Sequence, residues 1–181
     1  MNVTSMESEG LLTLEPRVFE DERGCFFESF NAERFAEVTG VATPFVQDNH
    51  SVSHKGVLRG LHYQLPPFAQ GKLVRVVRGA IFDVAVNIRR ASPTFGKWAA
   101  LTLSAENRRQ LWIPPGFAHG FLALEERTEV VYKTTALWNA DSERAIRWDD
   151  ADIGIAWPLE GTPIISSKDA GASLLADAET F

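Results

Sequence analysis

Four histidines, His50, His54, His62 and His119, occur in the 181 residues, and imidazole is the side chain whose charge changes most readily near neutral pH. His54 stands in the turn His54-Lys55-Gly56 and reads as solvated, whereas the other three fall in strand-like or strand-entry segments. A single strand histidine is ordinarily a hydrogen-bonded structural residue, so its company must decide whether it does chemistry. His62 lies in Leu58-Arg59-Gly60-Leu61-His62-Tyr63-Gln64, with a cation three positions before it and a glycine between them. Strict alternation sends Arg59 and His62 to opposite faces, so they can serve one site only if Gly60 permits a bulge. His119 follows Pro114-Pro115-Gly116-Phe117, a rigid turn that aims it into the next strand. Tyr132 sits mid-strand in Glu129-Val130-Val131-Tyr132-Lys133-Thr134 and, if buried, needs a partner for its hydroxyl. The single cysteine, Cys25, stands beside Phe26 and Phe27 and reads as a packing residue.

These side chains must be positioned by strands. Short β-rich runs are expected over 25–30, 45–51, 57–64, 72–77, 81–88, 98–103, 121–124 and 129–135. Turn residues such as Gly24, Pro66-Pro67, Arg78-Gly79, Ser92-Pro93 and Pro114-Pro115-Gly116 fall between them at a nearly regular spacing, which predicts an antiparallel sandwich or barrel rather than βαβ units. In 81–88, Phe82, Val84, Val86 and Ile88 form one face and Asp83, Ala85 and Asn87 the other, which suits either a ligand-holding lumen or plain solvent exposure. One helix stands out: Asn31 caps it, Glu33 lies in its first turn, Phe35 and Val38 share a side, and Gly40 ends it. From Gly161 the composition turns to Ser, Ala, Asp and Thr, which predicts a C-terminal surface arm with little regular structure on a single domain.

Composition narrows the classes. Hydrophobic residues make up 45% and charged residues 23%, an ordinary globular balance that excludes disordered or fibrous chains. A net charge of −6 argues against a general nucleic-acid or anionic-membrane surface, so an anionic ligand must meet a local positive cluster. One cysteine cannot form an internal disulfide, and Met1–Gly10 lacks the basic start and apolar run of a signal peptide. A cytoplasmic protein without a membrane span is expected.

Gly60-Leu61-His62 and, further on, Pro114-x-Gly116-x-x-His119, in an otherwise β-rich chain, resemble the cupin pattern. Metal-binding cupins present a His-x-His pair, a carboxylate and a last histidine; here the first motif reads His62-Tyr63-Gln64. With the second ligand missing, His62 and His119 are a poor metal set, and acid–base work becomes the better reading. The resemblance then becomes more specific. Pro16-Arg17-Val18-Phe19, Asp21-Glu22-Arg23-Gly24, Gln47-Asp48-Asn49-His50-Ser51, Arg59-Gly60-Leu61-His62-Tyr63-Gln64, Gln70-Gly71-Lys72-Leu73-Val74, Pro115-Gly116-Phe117-Ala118-His119-Gly120-Phe121 and Tyr132-Lys133-Thr134-Thr135 are similar to dTDP-4-dehydrorhamnose 3,5-epimerases, in that family's order over about 14–169.

That resemblance implies a mainly β, cupin-type double-stranded β-helix, a jelly-roll barrel with few short helices, working without cofactor or metal on a dTDP-sugar. The reaction inverts C3 and C5 of dTDP-4-dehydro-6-deoxy-D-glucose beside its C4 ketone. Moving a proton from such a carbon to imidazole unaided costs upward of roughly 14 kcal/mol, so an oxyanion stabiliser is required. By resemblance His62 is the base, Lys72 the oxyanion stabiliser and Tyr132 the acid on the opposite face. Asp169 is favoured as the partner that orients His62, with Asp83 the alternative. Arg23, Glu28, Gln47, Asn49, Arg59, Lys72, His119, Glu143 and Lys168 match binding positions, and Trp138 falls where the family usually stacks a tyrosine on thymine. The family's homodimers exchange N-terminal strands, which would send Arg23 and Glu28 to a partner's site. A single-centre epimerase, a non-catalytic nucleotide-sugar cupin and a metal cupin are the competing readings.

Overall fold

The computed structural model describes residues 2–6 and 10–181, so of the polar N-terminal stretch Met1 and residues 7–9 lie outside the described residues. Among the described residues, alternating apolar residues with turn chemistry between them produce thirteen strands and two short helices. Strands β1 (Asn2–Ser5), β2 (Leu12–Glu15), β5 (Gln47–Ser53), β7 (Lys72–Arg78), β10 (Gln110–Ile113) and β12 (Thr128–Thr134) form one sheet in the order β1-β2-β10-β7-β12-β5. A second sheet, β13-β6-β11-β8-β9, uses β6 (Leu58–Gln64), β8 (Ala80–Asn87), β9 (Trp98–Ser104), β11 (Phe117–Ala123) and β13 (Glu143–Ala145). Every pairing between these strands is antiparallel. The result is the jelly-roll of a cupin, as an open sandwich of two sheets.

Strand periodicity explains the layers. Val74 and Val76 of β7, Ile81 and Ala85 of β8, Phe117 and Phe121 of β11 and Val130 of β12 meet between the sheets. Each buried aliphatic or aromatic side chain of this kind contributes about 1.5–3 kcal/mol. The alternate residues of the second sheet, Leu61 and Tyr63 with Val84, Val86 and Ile88, face outward and are covered by Ile153, Leu175 and Ala178. Asp83 and Asn87, on the small polar face of β8, are fully buried, so solvent exposure is excluded for that face. Asn87 anchors the loop after it, its amide donating to Ser92 Oγ (2.8 Å) and Thr94 Oγ1 (2.7 Å).

Helix α1 (Ala32–Thr39) has the expected ends: Asn31 Oδ1 accepts from Arg34 N, and Gly40 closes it at φ 73°. Its buried Phe35 joins Leu14, Leu73 and Trp112 on the outer face of the first sheet. Expected strands are present with shifted ends, and β11 begins earlier than 121, immediately after Pro114-Pro115-Gly116. The strands with no legible signal are β10, a four-residue run cut short by those prolines, the equally short β1, β2 and β3 (Val18–Asp21), and the three-residue β13.

Two expectations are corrected. The segment after Gly161 has the little regular structure expected of it and is largely exposed, but it is docked rather than loose: Ile164 bridges Val57, α2 (Ser167–Ala170) forms one turn, and Leu175 and Ala178 are buried on the second sheet. Its few apolar residues, such as Leu175, Ala178 and Phe181, are scattered among polar ones without a period, so the pattern gave no sign of packing. Cys25 is exposed rather than packed, because β3 and β4 (Gly24–Phe27) form a separate two-stranded ribbon that neither main sheet covers.

Candidate active site

At one end of the sandwich both sheets splay around a cavity of about 520 Å³, within the range of small-molecule sites. Gly60 shapes one wall. In the β6–β11 ladder His62 pairs with His119 and Arg59 with Phe121, so Gly60 and Leu61 together oppose the single residue Gly120. This bulge reverses the alternation and returns Arg59 to the cavity side with His62, the condition that strict strand geometry had set. Only glycines fit: Gly60 has φ 134°, and a Cβ there would lie 2.4 Å from Gly120 Cα.

The cavity holds two histidine–carboxylate pairs side by side. His62 Nε2 donates to Asp169 Oδ1 at 2.5 Å, which decides between the two carboxylates proposed for it. Asp169 is placed by its own turn: Ser166 caps α2, its Oγ accepting from Asp169 N at 3.1 Å. Burial pushes the Asp169 carboxyl up, but hydrogen bonds from His62, Ser166 and the Gly60 backbone outweigh it and hold the group below its usual value. With Nε2 committed, His62 presents Nδ1 as its other nitrogen, and the ring is partly open to the cavity at 29% side-chain exposure.

Asp83, the alternative partner, belongs instead to His119, whose Nε2 donates to Asp83 Oδ1 at 2.7 Å. This pair is sealed, with side-chain exposures of 6% and 0%. Burial lowers the affinity of His119 for a second proton despite Asp83, which disfavours His119 as a cation for a diphosphate.

Lys72 begins β7 and is buried; burial pushes its ammonium down to about 8, while Asp83 and Glu143 hold it up. Its Nζ donates across the cavity floor to the His62 carbonyl at 3.2 Å. Tyr132 lines the cavity from β12, in the sheet opposite His62, and burial raises its hydroxyl above the ordinary phenol. A base from one sheet, with a weak acid and a buried cation from the other, can move protons on both faces of a ring.

The rim carries the polar and cationic residues. Gln47 and Asn49 share one face of β5, Gln47 Nε2 donating to Asn49 Oδ1 at 2.9 Å and Gln47 Oε1 accepting from Trp138 N at 2.9 Å. Arg59 Nε donates to Ser53 Oγ at 3.1 Å. Lys168 Nζ meets Glu143 Oε2 at 2.5 Å; burial pushes the Glu143 carboxyl up, but Lys168, Trp138 and His62 together bring it below its usual value. The Trp138 ring is 57% exposed at the mouth, suited to stacking on a base. Arg23 and Glu28 are not brought here within the chain. Arg23 is tied to Asp21 on the β3–β4 ribbon, and Glu28 borders a separate groove with Arg17 and Phe26.

Gln64, where a metal cupin has its second histidine, has its amide satisfied by backbone: it donates to Phe68 O (2.7 Å) and Leu137 O (3.2 Å) and accepts from Asn139 N (2.8 Å). Among the described residues no group of three or more His, Cys, Asp or Glu is placed to hold a metal, and no helix is long and apolar enough to cross a membrane. Sequence reasoning missed Ser166, although Ser166-Ser167-Lys168-Asp169 carries the Ser-x-x-acid signature of a capped turn. It also missed Ser51 and Phe121, which line the cavity and carry no signal beyond their place on β5 and β11.

Comparison with known proteins agrees with this geometry. The family model for dTDP-4-dehydrorhamnose 3,5-epimerase matches residues 5–177. The chain is 57% identical over 181 residues to the dTDP-4-dehydrorhamnose 3,5-epimerase of Shigella flexneri, covering 100% of this chain and 99% of that one. Its structure is similar to the dTDP-6-deoxy-D-glucose-3,5-epimerase of Legionella pneumophila solved with dTDP-4-keto-L-rhamnose, at TM-score 0.95, 49% identity and coverage of 98% and 94%. A 3′-monoepimerase of Streptomyces bikiniensis solved with dTDP-quinovose is more distant, at TM-score 0.89, 37% identity and coverage of 94% and 86%. With the model spanning almost the whole chain and relatives this similar, the chain belongs to the dTDP-4-dehydrorhamnose 3,5-epimerase family.

Proposed function

We propose that this protein inverts C3 and C5 of dTDP-4-dehydro-6-deoxy-D-glucose, giving dTDP-4-dehydro-L-rhamnose for dTDP-L-rhamnose biosynthesis. The observation that carries the reading is the placement of His62 and Tyr132 on opposing sheets of one cavity, with the buried Lys72 ammonium against the His62 carbonyl. His62 Nδ1 takes the proton from a carbon beside the C4 ketone, and Asp169 steadies the imidazolium that forms. Negative charge moves onto the ketone oxygen, where the Lys72 ammonium stabilises it. Tyr132 then gives its proton to the opposite face of the carbon, so the centre inverts. The same residues act at the second carbon, since C3 and C5 share one carbonyl.

Trp138 stacks on thymine, while Arg59 and Lys168 meet the diphosphate, with Gln47, Asn49 and Glu143 holding the polar groups of the nucleotide sugar. Lys168 must then leave Glu143 or share it with the ligand. The acid–base chemistry requires no metal or cofactor. A cytoplasmic homodimer is the setting we favour. The exposed Phe19 (51%) and Phe26 (72%) on the β3–β4 ribbon support pairing with a second copy, which would bring Arg23 and Glu28 to the partner's cavity.

Proton NMR of dTDP-4-dehydro-6-deoxyglucose in deuterated water with chelator-treated protein tests the reading. Loss of both H3 and H5 signals is expected. Loss of one alone would make the protein a single-centre epimerase, and loss of neither would leave a binding module.

A further inference from the structure

The His119–Asp83 pair is not explained by proton abstraction, which needs only His62. Asp83 is fully buried on β8, one oxygen accepting from His119 and the other, Oδ2, meeting no hydrogen-bond donor. A sealed carboxylate in this condition needs a cation nearby. The charged and titratable groups lining the adjacent cavity are Arg59, His62 and Tyr63 of β6, Lys72 of β7, His119 of β11, Tyr132 of β12, Glu143 of β13 and Lys168 with Asp169 on α2; of these His119 bonds Asp83 and Lys72 feels its charge. Asp169 is taken by His62 and Glu143 by Lys168. Lys72 is buried as well, and among the described residues its ammonium bonds only a neutral carbonyl. With His119 kept neutral by burial, the buried cation and the buried carboxylate left without an ion-pair partner among the described residues are Lys72 and Asp83.

We infer that Asp83 is a positioning residue for this reaction, fixing His119 as a neutral hydrogen-bond acceptor toward the sugar and supplying the counter-charge that keeps Lys72 an ammonium. The first half follows from hydrogen-bond inventory. An ionised carboxylate only accepts, so His119 Nε2 carries the proton, and in a neutral ring Nδ1 then carries the lone pair. No other group among the described residues bonds Nδ1, and the ring lines the cavity, so a sugar hydroxyl is the donor it suits. The second half follows from the field. Burial works against the Lys72 charge, and Asp83 is the largest influence opposing it.

The inference rests on the epimerase reading, and Asp83→Asn separates the two. Asparagine keeps the shape and can still accept from His119 Nε2, so the charge alone is lost. Wild-type kcat/KM should fall as pH rises through Lys72 deprotonation; in Asp83→Asn this basic limb should move to lower pH by about one unit or more, with activity recovering toward acid. A basic limb that superimposes on the wild type, whatever the drop in kcat, would overturn the charge role. If Asp83→Asn does not fold, 15N spectra of histidine-labelled wild-type protein, with His119 assigned through His119→Gln, still decide the tautomer. An unprotonated Nδ1 from about pH 6 to about pH 9 is expected; a protonated Nδ1 in that range would overturn the inference. Wild-type protein without turnover on this substrate would sink the epimerase reading alone, because the His119 tautomer is read without substrate.

Discussion

The two histidine–carboxylate pairs contain the same atoms at nearly the same separation and differ in their surroundings. His62 and Asp169 come from distant parts of the chain, a strand and a one-turn helix 107 residues later, and the His62 ring is partly open. His119 and Asp83 come from neighbouring strands of one sheet and are sealed. A pair that must exchange protons with a substrate needs access and tolerance of charge, whereas a sealed pair is held in one protonation state by its low-dielectric surroundings. Burial thus separates two chemically identical pairs into one whose ring is open to the cavity and one that is sealed.

Removing the open pair should have the largest effect. His62→Ala should lower kcat by roughly 10³-fold, within the range for loss of a general base, while dTDP affinity measured by calorimetry stays within a few-fold. His119→Ala should instead act mainly on KM, by roughly tenfold or less, the worth of one hydrogen bond. Equal kcat losses in the two variants would erase the distinction.

The bulge that sets Arg59 and His62 on one side offers a second way to break the site. In Gly60→Ala the new Cβ meets Gly120 Cα at 2.4 Å, and the backbone must hold φ 134°. Left-handed strain and overpacking together should cost about 2–5 kcal/mol, read as a lower denaturation midpoint together with lost activity. Unchanged stability would show that the strand slides to accept a side chain. The smallest expected effect lies at the rim. Trp138→Ala should weaken dTDP binding by about 1–3 kcal/mol and leave kcat nearly intact, because Trp138 does not touch the reacting carbons in this account.

Much of this organisation is legible in the sequence, for identifiable reasons. Helix α1 announces its ends because Asn31 and Gly40 act locally, and β8 announces both faces because its period is two. His62, Lys72 and Tyr132 stand in motif-rich strands. The assignment of the two carboxylates was not legible, since Asp83 and Asp169 are equally good partners in composition and only the fold decides which histidine each meets. The packing of Leu175 and Ala178 was hidden because apolar residues scattered among polar ones in an irregular segment carry no periodic signal. The side of Arg59 depended on a bulge that Gly60 permits but does not require.

The most direct test of opposite-face proton transfer follows deuterium in His62→Ala and Tyr132→Phe with dTDP-4-dehydro-6-deoxyglucose in deuterated water. The account predicts no exchange at C3 or C5 in His62→Ala, and in Tyr132→Phe exchange without inversion, because His62 can return a deuteron to the face it was taken from. Exchange at the wild-type rate in His62→Ala, or unimpaired inversion in Tyr132→Phe, would contradict it.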